Sequence, residues 1–282
     1  MINENQLYSM NTHYRYYDLD YFLKSSEENN INNIELWLCP QHFYINSFFY
    51  GDSINLVKKL EEHNIKIKCI CPEQNNPKPN NIAAREKDLI QYTFNYFKKV
   101  IDLAVEVKSE LVLITPGWNY YDEDPAEARQ RSITMIKKLC EYAYENNITL
   151  VLESIWNKSS LIGDTIAKIY EIKKGVNQPN LKLALDLGAL SSASETVQDW
   201  FDVFGEDVIH CHFVDGNPTG HLPWGEGELN MREILQQFSD NKYTGGFSME
   251  FIDSRSYKNP EKWDKKTKRL FVENINLIKG GN

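Results

Sequence analysis

The chain has 282 residues, of which 41% are hydrophobic and 25% charged, and its formal net charge is −9. This composition excludes a disordered chain and is sufficient for the core of one large α/β barrel. The acidic balance disfavours nucleic acids and anionic membranes as partners, because both require a basic surface. No apolar run reaches the roughly 18 residues that span a bilayer. The first residues also lack a signal-peptide pattern, so we expect a cytoplasmic protein.

The cysteine content indicates reduced thiols rather than a disulfide framework. The number of cysteines is odd, their spacing is irregular, no CxxC pair occurs, and three fall inside apolar strand-like stretches. We therefore predict buried, reduced thiols, with a thiolate zinc site as the alternative. The residues are Cys39, Cys69, Cys71, Cys140 and Cys211.

Short aliphatic runs alternate with longer amphipathic segments along the whole chain. The longer segments carry apolar residues at three- and four-residue steps, which predicts helices between strands. Segment 124–147 is a typical helix: Asp124 is placed to cap it, Pro125 lies in its first turn, and Glu127 follows the cap by three residues. The predicted strands, in chain order, are 7–13, 34–38, 65–71, 111–115, 148–154, 181–187, 208–214 and 246–251.

Eight strand–helix units predict a closed (β/α)8 TIM barrel rather than an open doubly wound sheet. No Gly-, Ser- or Pro-rich linker divides the chain, so we predict a single domain over residues 1–282. The Pro- and Asn-rich segment 72–81 is interpreted as a long loop after the third strand, on the rim where barrels keep their binding loops. Polar triplets at 28–30, 62–64 and 145–147 predict turns at the opposite rim, where helices end.

Three carboxylates and one imidazole fall at the downstream ends of four successive predicted strands: Glu153, Asp186, His212 and Glu250. Because alternate side chains of a strand share a face, all four are predicted to point into the mouth of the barrel. Carboxylates brought close together repel one another and are costly to bury, so we predict a divalent cation between them. This oxygen-rich set suits Mn²⁺, Mg²⁺, Co²⁺ or Fe²⁺ better than structural Zn²⁺. The alternative is four separate, solvated charges.

A family resemblance is carried by LITPGW (113–118), LVLES (150–154), LALDLG (183–188), HCHFVDGNPTGHLPWGEG (210–227) and FSMEF (247–251). These motifs resemble the sugar phosphate isomerase/epimerase family with its xylose isomerase-like barrel, which includes keto-sugar 3-epimerases, inosose-pathway enzymes and fructoselysine epimerases. The resemblance covers nearly the whole chain. It implies that Glu153, Asp186, His212 and Glu250 hold one divalent metal ion, with Mn, Mg, Co or Fe favoured over Zn.

The resemblance also implies proton abstraction next to a carbonyl. The cation would bind a ketone oxygen and a neighbouring hydroxyl and stabilise the enediolate as a Lewis acid. Glu153 and Glu250 are then the two bases: one removes the carbon-bound proton, and the other returns a proton on the opposite face. This predicts an isomerase, an epimerase that acts on a small sugar or sugar derivative.

Departures from the free keto-sugar 3-epimerases argue against a tagatose- or psicose-type substrate. The histidine, arginine and glutamate of those enzymes correspond here to Ala189, Pro218 and Ser159. The GHLPWGEG segment instead resembles the inosose and fructoselysine branches, which have a histidine in the loop after the seventh strand. His221 is therefore predicted to contact substrate or to support a metal ligand, with bracing of the loop as the alternative.

Further substrate contacts are predicted at the ends of other strands. Trp118 and Trp224 follow strand ends, and aromatic walls suit the C–H faces of sugars, with packing as the alternative for each. Glu35, in the second strand, is predicted to bind a substrate hydroxyl or to pair with Arg15. His210 lies one layer below the mouth and is predicted to be a hydrogen-bonded inner histidine.

Two other functional classes stay open as alternatives. A hydrolase of the endonuclease IV type shares the barrel and several of these residues, but Ala189 and Thr219 stand where two of its zinc ligands are expected. An inosose-type dehydratase, or a non-catalytic sugar-binding barrel, is the second alternative. A homo-oligomer is expected by analogy alone.

Overall fold

The computed structural model describes residues 2–74, 78–217 and 220–280, and in these ranges eight parallel strands close into a barrel. The strands pair in chain order, and the last pairs with the first, so the sheet has no open edge. The predicted (β/α)8 barrel is therefore confirmed. The strands are β1 Leu7–Met10, β2 Asn33–Trp37, β3 Lys66–Cys71, β4 Leu111–Ile114, β5 Thr149–Glu153, β6 Leu181–Asp186, β7 Val208–His212 and β8 Gly246–Ser248.

Helices follow the strands and pack against the outside of the sheet. The predicted start of the helix in 124–147 is confirmed, because the Asp124 side chain accepts a 2.9 Å hydrogen bond from the Ala126 N–H and Pro125 lies in the first turn. Within the described ranges, no helix is long and apolar enough to cross a membrane. The helices are α1 Leu19–Glu28, α2 Ser53–Glu62, α3 Lys87–Glu106, α4 Pro125–Glu145, α5 Ile166–Val176, α6 Leu187–Ala193, α7 Val197–Phe204, α8 Met231–Asp240 and α9 Pro260–Gly280.

Asparagines form the turns at the rim opposite the candidate site. Asn30, Asn64 and Asn147 adopt left-handed backbone conformations, with φ of 53°, 51° and 58°. Asparagine tolerates this conformation better than most residues, and it satisfies the carbonyls at a helix end. Each of the three lies two residues beyond a helix and shortly before the next strand. The polar turns predicted at these triplets are thus confirmed.

Apolar side chains form two layers, one between the sheet and the helices and a smaller one inside the barrel. All five cysteines are buried free thiols, as predicted. Burial raises the pKa of Cys39 to about 11 and that of Cys140 to about 12, so both thiols are neutral at pH 7. The inner layer consists of Met10, Cys69, Cys71, Leu113, Val151 and Ala184, with Trp37, Leu111 and Ile209 packed against it.

Most strands end one or two residues earlier than the apolar pattern predicts, and β1 and β8 end three residues earlier. β1 stops at Met10, and the next four residues form a 3-10 turn. This turn is favoured because the Asn11 side chain bonds the main chain of Trp37, donating to its carbonyl at 2.9 Å and accepting from its N–H at 2.7 Å. β8 stops at Ser248, so Glu250 lies in the following loop rather than at the strand end.

The predicted loop 72–81 begins directly after β3, at the mouth of the barrel. Its described residues have no regular structure, which agrees with the prediction, and residues 75–77 lie outside the described residues. Pro218 and Thr219 also lie outside the described residues. They are the residues that correspond to an arginine of the keto-sugar 3-epimerases and to a zinc ligand of the endonuclease IV type.

Candidate functional site

The four residues predicted to hold a cation meet at the mouth of the barrel. Glu153, Asp186 and His212 are the last residues of β5, β6 and β7, and Glu250 lies two residues beyond β8. One potential ligand atom from each lies within 4.8 Å of those of the others. The first three side chains are buried, and 15% of the Glu250 side chain is exposed. The predicted convergence of this quartet therefore agrees with the structure, and the alternative of four separate solvated charges does not.

The Nδ1 atom of His212 lies at the centre of the quartet. It is 2.5 Å from Glu153 Oε1, 3.0 Å from Glu250 Oε2 and 3.9 Å from Asp186 Oδ2. Both His212 Nδ1 and Glu153 Oε1 are buried, yet neither has a hydrogen-bond partner among the described residues. Buried polar atoms that converge without hydrogen bonds are unfavourable in the protein alone. The same nitrogen and oxygen atoms are suitable ligands for a divalent cation.

The electrostatics of the quartet favour an additional positive charge. The pKa of Glu153 is raised to about 8, because burial and the charges of Glu250 and Asp186 raise it by more than the His212 imidazole lowers it. Burial alone would lower the pKa of His212, but the carboxylates of Glu153 and Glu250 raise it well above its ordinary value. Bound protons thus supply part of the positive charge that three neighbouring carboxylates require.

His221, from the loop after β7, adds a second imidazole to the mouth. Its Nε2 lies 2.8 Å from Asp186 Oδ2 and 3.1 Å from Glu250 Oε2. Burial would raise the pKa of Asp186, but the His221 imidazole holds it below its ordinary value. The predicted support of metal ligands agrees with these contacts, and contact with substrate stays a prediction. Because 23% of the His221 side chain is exposed, it is open to the mouth.

A buried aspartate that the sequence reasoning missed fixes the loop of His221. Asp215 accepts hydrogen bonds from the N–H groups of Gly225 and Gly227, both at 2.9 Å, and of Leu229 at 3.1 Å. A Cβ on Gly227 would lie 2.3 Å from Asp215 Oδ1, so only glycine fits there. The available signal was an aspartate directly before a glycine-rich segment, which does not by itself separate a loop brace from a ligand.

A second glycine brings the same loop over the quartet. A Cβ on Gly188, two residues after Asp186, would lie 2.8 Å from the Gly220 carbonyl oxygen and 3.2 Å from His221 Cε1. The His221 carbonyl also accepts a 3.2 Å hydrogen bond from the N–H of Ile252, which follows β8. His221 is therefore held between the ends of β6 and β8.

A second polar layer lies directly below the quartet. Glu35 is fully buried, and its carboxylate oxygens lie 2.6 Å from His210 Nε2 and 3.2 Å from His212 Nε2. His210 is thus a hydrogen-bonded inner histidine, as predicted. Neither role predicted for Glu35 fits, because its side chain has no exposed surface for a substrate and Arg15 donates to the Thr12 carbonyl instead. The predicted roles do not fit because Glu35 lies one layer below the mouth, inside the barrel.

The cysteine closest to this layer does not favour a thiolate zinc site. Among the described residues, Cys69 is the one cysteine that shares a candidate ligand group, with Glu35 and His210. Burial raises the pKa of its thiol well above the ordinary value, and Glu35 raises it further. A neutral thiol is a poor metal ligand, so this group fits the packed interior better than a zinc centre.

The two tryptophans predicted to line the site differ in burial. Trp224 is 1% exposed, donates its indole N–H to the Phe213 carbonyl at 3.1 Å and packs on the Phe213 ring. The packing alternative therefore describes Trp224, and a sugar contact does not fit. Trp118, after β4, is half-buried beside Tyr120, and its contact with a sugar stays a prediction.

Known proteins with similar sequences or structures include sugar epimerases and a dehydratase. Fructoselysine 3-epimerase of Shigella flexneri is 24% identical over 237 residues, which cover 83% of this chain and 85% of that protein. A D-tagatose 3-epimerase-like protein superimposes with a TM-score of 0.82 at 20% identity, covering 98% of this chain and 99% of that one. A probable 3-DHS dehydratase of Bacillus anthracis gives a TM-score of 0.69 at 19% identity, over 94% and 98% of the two chains.

At these identities the structural likenesses show the fold alone. The family described as the xylose isomerase-like TIM barrel matches residues 24–273, which is most of the chain and includes all four residues of the quartet. The protein therefore belongs to the xylose isomerase-like TIM barrel family.

Proposed function

We propose that this protein is a divalent-metal-dependent isomerase that epimerises a small ketose or ketose derivative, acting as a single domain over residues 1–282. The observation that carries the proposal is the convergence of the quartet at the mouth of the barrel. The fructoselysine 3-epimerase relative supports the reaction class. The acidic net charge agrees with a small-molecule substrate rather than a nucleic acid.

Glu153 and Glu250 are the two bases of the proposed reaction. Epimerisation by proton transfer requires a base on each face of the reacting carbon. The two glutamates reach His212 Nδ1 from β5 and from the loop after β8, which lie on opposite sides of β7 in the barrel. Their approach from two directions suits removal of a proton on one face and its return on the other.

Glu153, Asp186, His212 and Glu250 would together hold the cation. A divalent cation bound there supplies Lewis acidity, which polarises a substrate carbonyl and makes the neighbouring C–H more acidic. The oxygen-rich donor set favours Mn²⁺, Mg²⁺, Co²⁺ or Fe²⁺. His221 holds the oxygens of Asp186 and Glu250 in place.

Glu35 has a positioning role in this proposal. Its carboxylate accepts from His212 Nε2, which leaves Nδ1 as the lone-pair nitrogen that faces the carboxylates. A histidine ligand whose second nitrogen donates to a carboxylate is fixed in tautomer and ring orientation. Glu35 thus acts on the site through His212 and does not touch the substrate.

Deuterium exchange tests the proposal. Protein stripped of metal with EDTA, with and without added Mn²⁺ or Mg²⁺, is incubated in D2O with a panel of ketoses and ketose derivatives. NMR follows exchange of the hydrogen next to the carbonyl and the appearance of the epimer. We expect both only in the presence of the cation. Absence of exchange across the panel in fully loaded protein would contradict the proposal.

The same measurement separates the alternative functions. Exchange that ends in loss of water would indicate a dehydratase, the activity named for the Bacillus anthracis relative. Hydrolysis of a phosphodiester together with several zinc ions per chain would indicate a hydrolase. Glu206→Gln is the control variant, because Glu206 is exposed and precedes β7 at the far rim of the barrel.

A further inference from the structure

An arginine stands at the mouth of the barrel, next to the ends of β1 and β2. Arg15 follows β1, and its guanidinium lies over the ring of Trp37, 5.0 Å from the ring centroid. Trp37 ends β2 two residues after Glu35, so both side chains lie on the inner face of the barrel. Trp37 also packs on the inner apolar layer. Arg15 therefore lies above the barrel interior, near β1 and β2, whereas the quartet comes from β5 to β8.

The guanidinium of Arg15 is held in one orientation. Its Nε donates to the Thr12 carbonyl at 2.7 Å, and its guanidinium lies over the ring of Tyr257 as well as that of Trp37, with the Tyr257 centroid at 4.7 Å. Its supports are fixed in turn. Asn11 bonds both main-chain groups of Trp37, and the Tyr257 hydroxyl donates to the Ile252 carbonyl at 2.6 Å. The side chain has therefore lost much of its rotamer freedom before any ligand arrives.

Arg15 has no anionic partner within the described residues. The other stacked arginine, Arg85, lies over Tyr120 but forms ion pairs, including one of 3.1 Å to Asp122. Arg255, on the same rim as Arg15, is paired with Asp253 at 2.7 Å. The described residues offer no acceptor to the two terminal nitrogens of Arg15, and these nitrogens are not buried. A guanidinium in this state presents a fork that matches a carboxylate or phosphate.

We propose that Arg15 binds the terminal anionic group, a phosphate or a carboxylate, of the ketose derivative whose carbonyl end lies at the quartet. This inference rests on the proposed function and names the substrate class. An anion entering this protein meets a net charge of −9 and a mouth lined by three carboxylates, so its binding requires a fixed local cation. Arg15 supplies that cation at the part of the mouth formed by the ends of β1 and β2, and the substrate extends from there to the quartet.

Binding measurements test the substrate class without relying on turnover. Calorimetry on the Mn²⁺-loaded full chain compares D-fructose with D-fructose 6-phosphate and with D-fructuronate, which distinguish phosphate from carboxylate. We expect at least one anionic probe to bind tighter than D-fructose by about 10- to 100-fold, the range of one charge-assisted bidentate contact. Equal or weaker binding of both anionic probes would overturn the inference.

Variants of the two rim arginines decide whether Arg15 is responsible. Arg15→Gln should remove the preference for the anionic probe and leave D-fructose binding unchanged. Arg255→Gln is the matched control and should keep the preference, because Arg255 is already paired. Arg15→Lys keeps the charge without the planar fork and should lose part of the preference, so it serves where Arg15→Gln does not fold. A preference that survives both Arg15 changes would overturn the assignment.

The outcome is separable from that of the proposed function. Proton exchange from D2O into neutral and anionic ketoses alike, together with equal binding, would leave the isomerase standing and remove Arg15 as the anion site. Tight binding of the anionic probe that depends on Arg15, without exchange into any ketose, would support the anion site and remove the isomerase.

Discussion

Two buried acidic centres in this barrel differ in how their oxygens are satisfied. Asp264, on α9, is fully buried and accepts hydrogen bonds from Ser9 Oγ at 2.6 Å and from Tyr14 at 2.9 Å, with His13 Nε2 at 2.8 Å. Burial and the Asp264 charge raise the pKa of Tyr14, so its hydroxyl stays protonated and can donate. This aspartate needs nothing beyond the protein.

The quartet at the mouth is the opposite case. Its carboxylates face one another and a single imidazole, and the buried Glu153 Oε1 and His212 Nδ1 have no hydrogen-bond partner among the described residues. A buried carboxylate whose oxygens all accept hydrogen bonds stabilises the fold. Carboxylates that face one another are stable only if a positive charge is bound between them. The contrast indicates that Asp264 serves the fold and the quartet serves a ligand.

The largest expected effect comes from changing the quartet itself. We expect Glu153→Gln and Glu250→Gln each to lower metal-dependent proton exchange at least about a thousandfold, because a base and a metal ligand are lost together. The metal-free Glu153→Gln variant should unfold at about the wild-type temperature. Burial holds the pKa of Glu153 at about 8, so glutamine imitates the form that prevails at pH 7 without metal.

Exchange kinetics in D2O and thermal unfolding in EDTA check this prediction, with Glu206→Gln as control. Wild-type exchange rates in either variant would remove that glutamate as a base. A large drop in the stability of metal-free Glu153→Gln would instead place Glu153 in the same structural class as Asp264.

The reverse pattern is expected for the structural centre. Asp264→Asn preserves volume but turns one acceptor into a donor that faces buried donors, so we expect the free energy of unfolding to fall by about 3 kcal/mol. Metal affinity should stay within about twofold, because Asp264 shares no hydrogen-bond partner with the quartet. Urea unfolding and calorimetric metal titration measure the two effects. A loss of metal affinity as large as the loss of stability would break the distinction between the two centres.

The sequence alone predicts which side chains share a face, and this was enough for the quartet. Glu153, Asp186 and His212 end consecutive strands at the same parity, so a closed parallel barrel brings them together whatever the details of packing. The repeat of strand and helix likewise predicts the barrel, since local periodicity and the absence of a linker leave few alternatives.

The two-residue period of a strand does not predict how deep a side chain lies in the barrel or which residues on other strands it contacts. Glu35 lies on the inner face as the pattern predicts, but its partners come from β7, on another side of the barrel, and not from nearby Arg15. Trp224 follows a strand and is aromatic, yet the loop turns it into the core. The partners of Glu35 and the burial of Trp224 depend on tertiary contacts, which the periodicity of the sequence does not predict.

A smaller effect is expected from the layer beneath the quartet. Glu35→Gln keeps the shape but removes the charge that fixes His212, so we expect metal affinity to fall by about 10- to 100-fold. Manganese titration by calorimetry provides a readout that does not depend on turnover. Asp264→Asn is the matched control, as another fully buried carboxylate whose loss should leave metal affinity unchanged. Unchanged affinity in Glu35→Gln would assign Glu35 to packing alone.

The smallest expected effect concerns a buried histidine that belongs to neither centre. His42 Nδ1 accepts a 2.6 Å hydrogen bond from Asn11 Nδ2, whose orientation is fixed by its bonds to the Trp37 main chain. Burial lowers the pKa of His42, and protonation of Nδ1 would set two donors against each other.

Because the folded protein resists this proton more than the unfolded chain does, His42 stabilises the fold above the ordinary histidine pKa of about 6.5. This contribution is lost as the pH falls below that value towards the lowered pKa of the folded state. We therefore expect the free energy of unfolding to decline less steeply between pH 7 and pH 5 in His42→Gln than in the wild type. His63→Gln, which removes a histidine paired with Glu27 near the surface, controls for the loss of an imidazole. Identical pH slopes in wild type and His42→Gln would show that the folded protein does not hold His42 neutral.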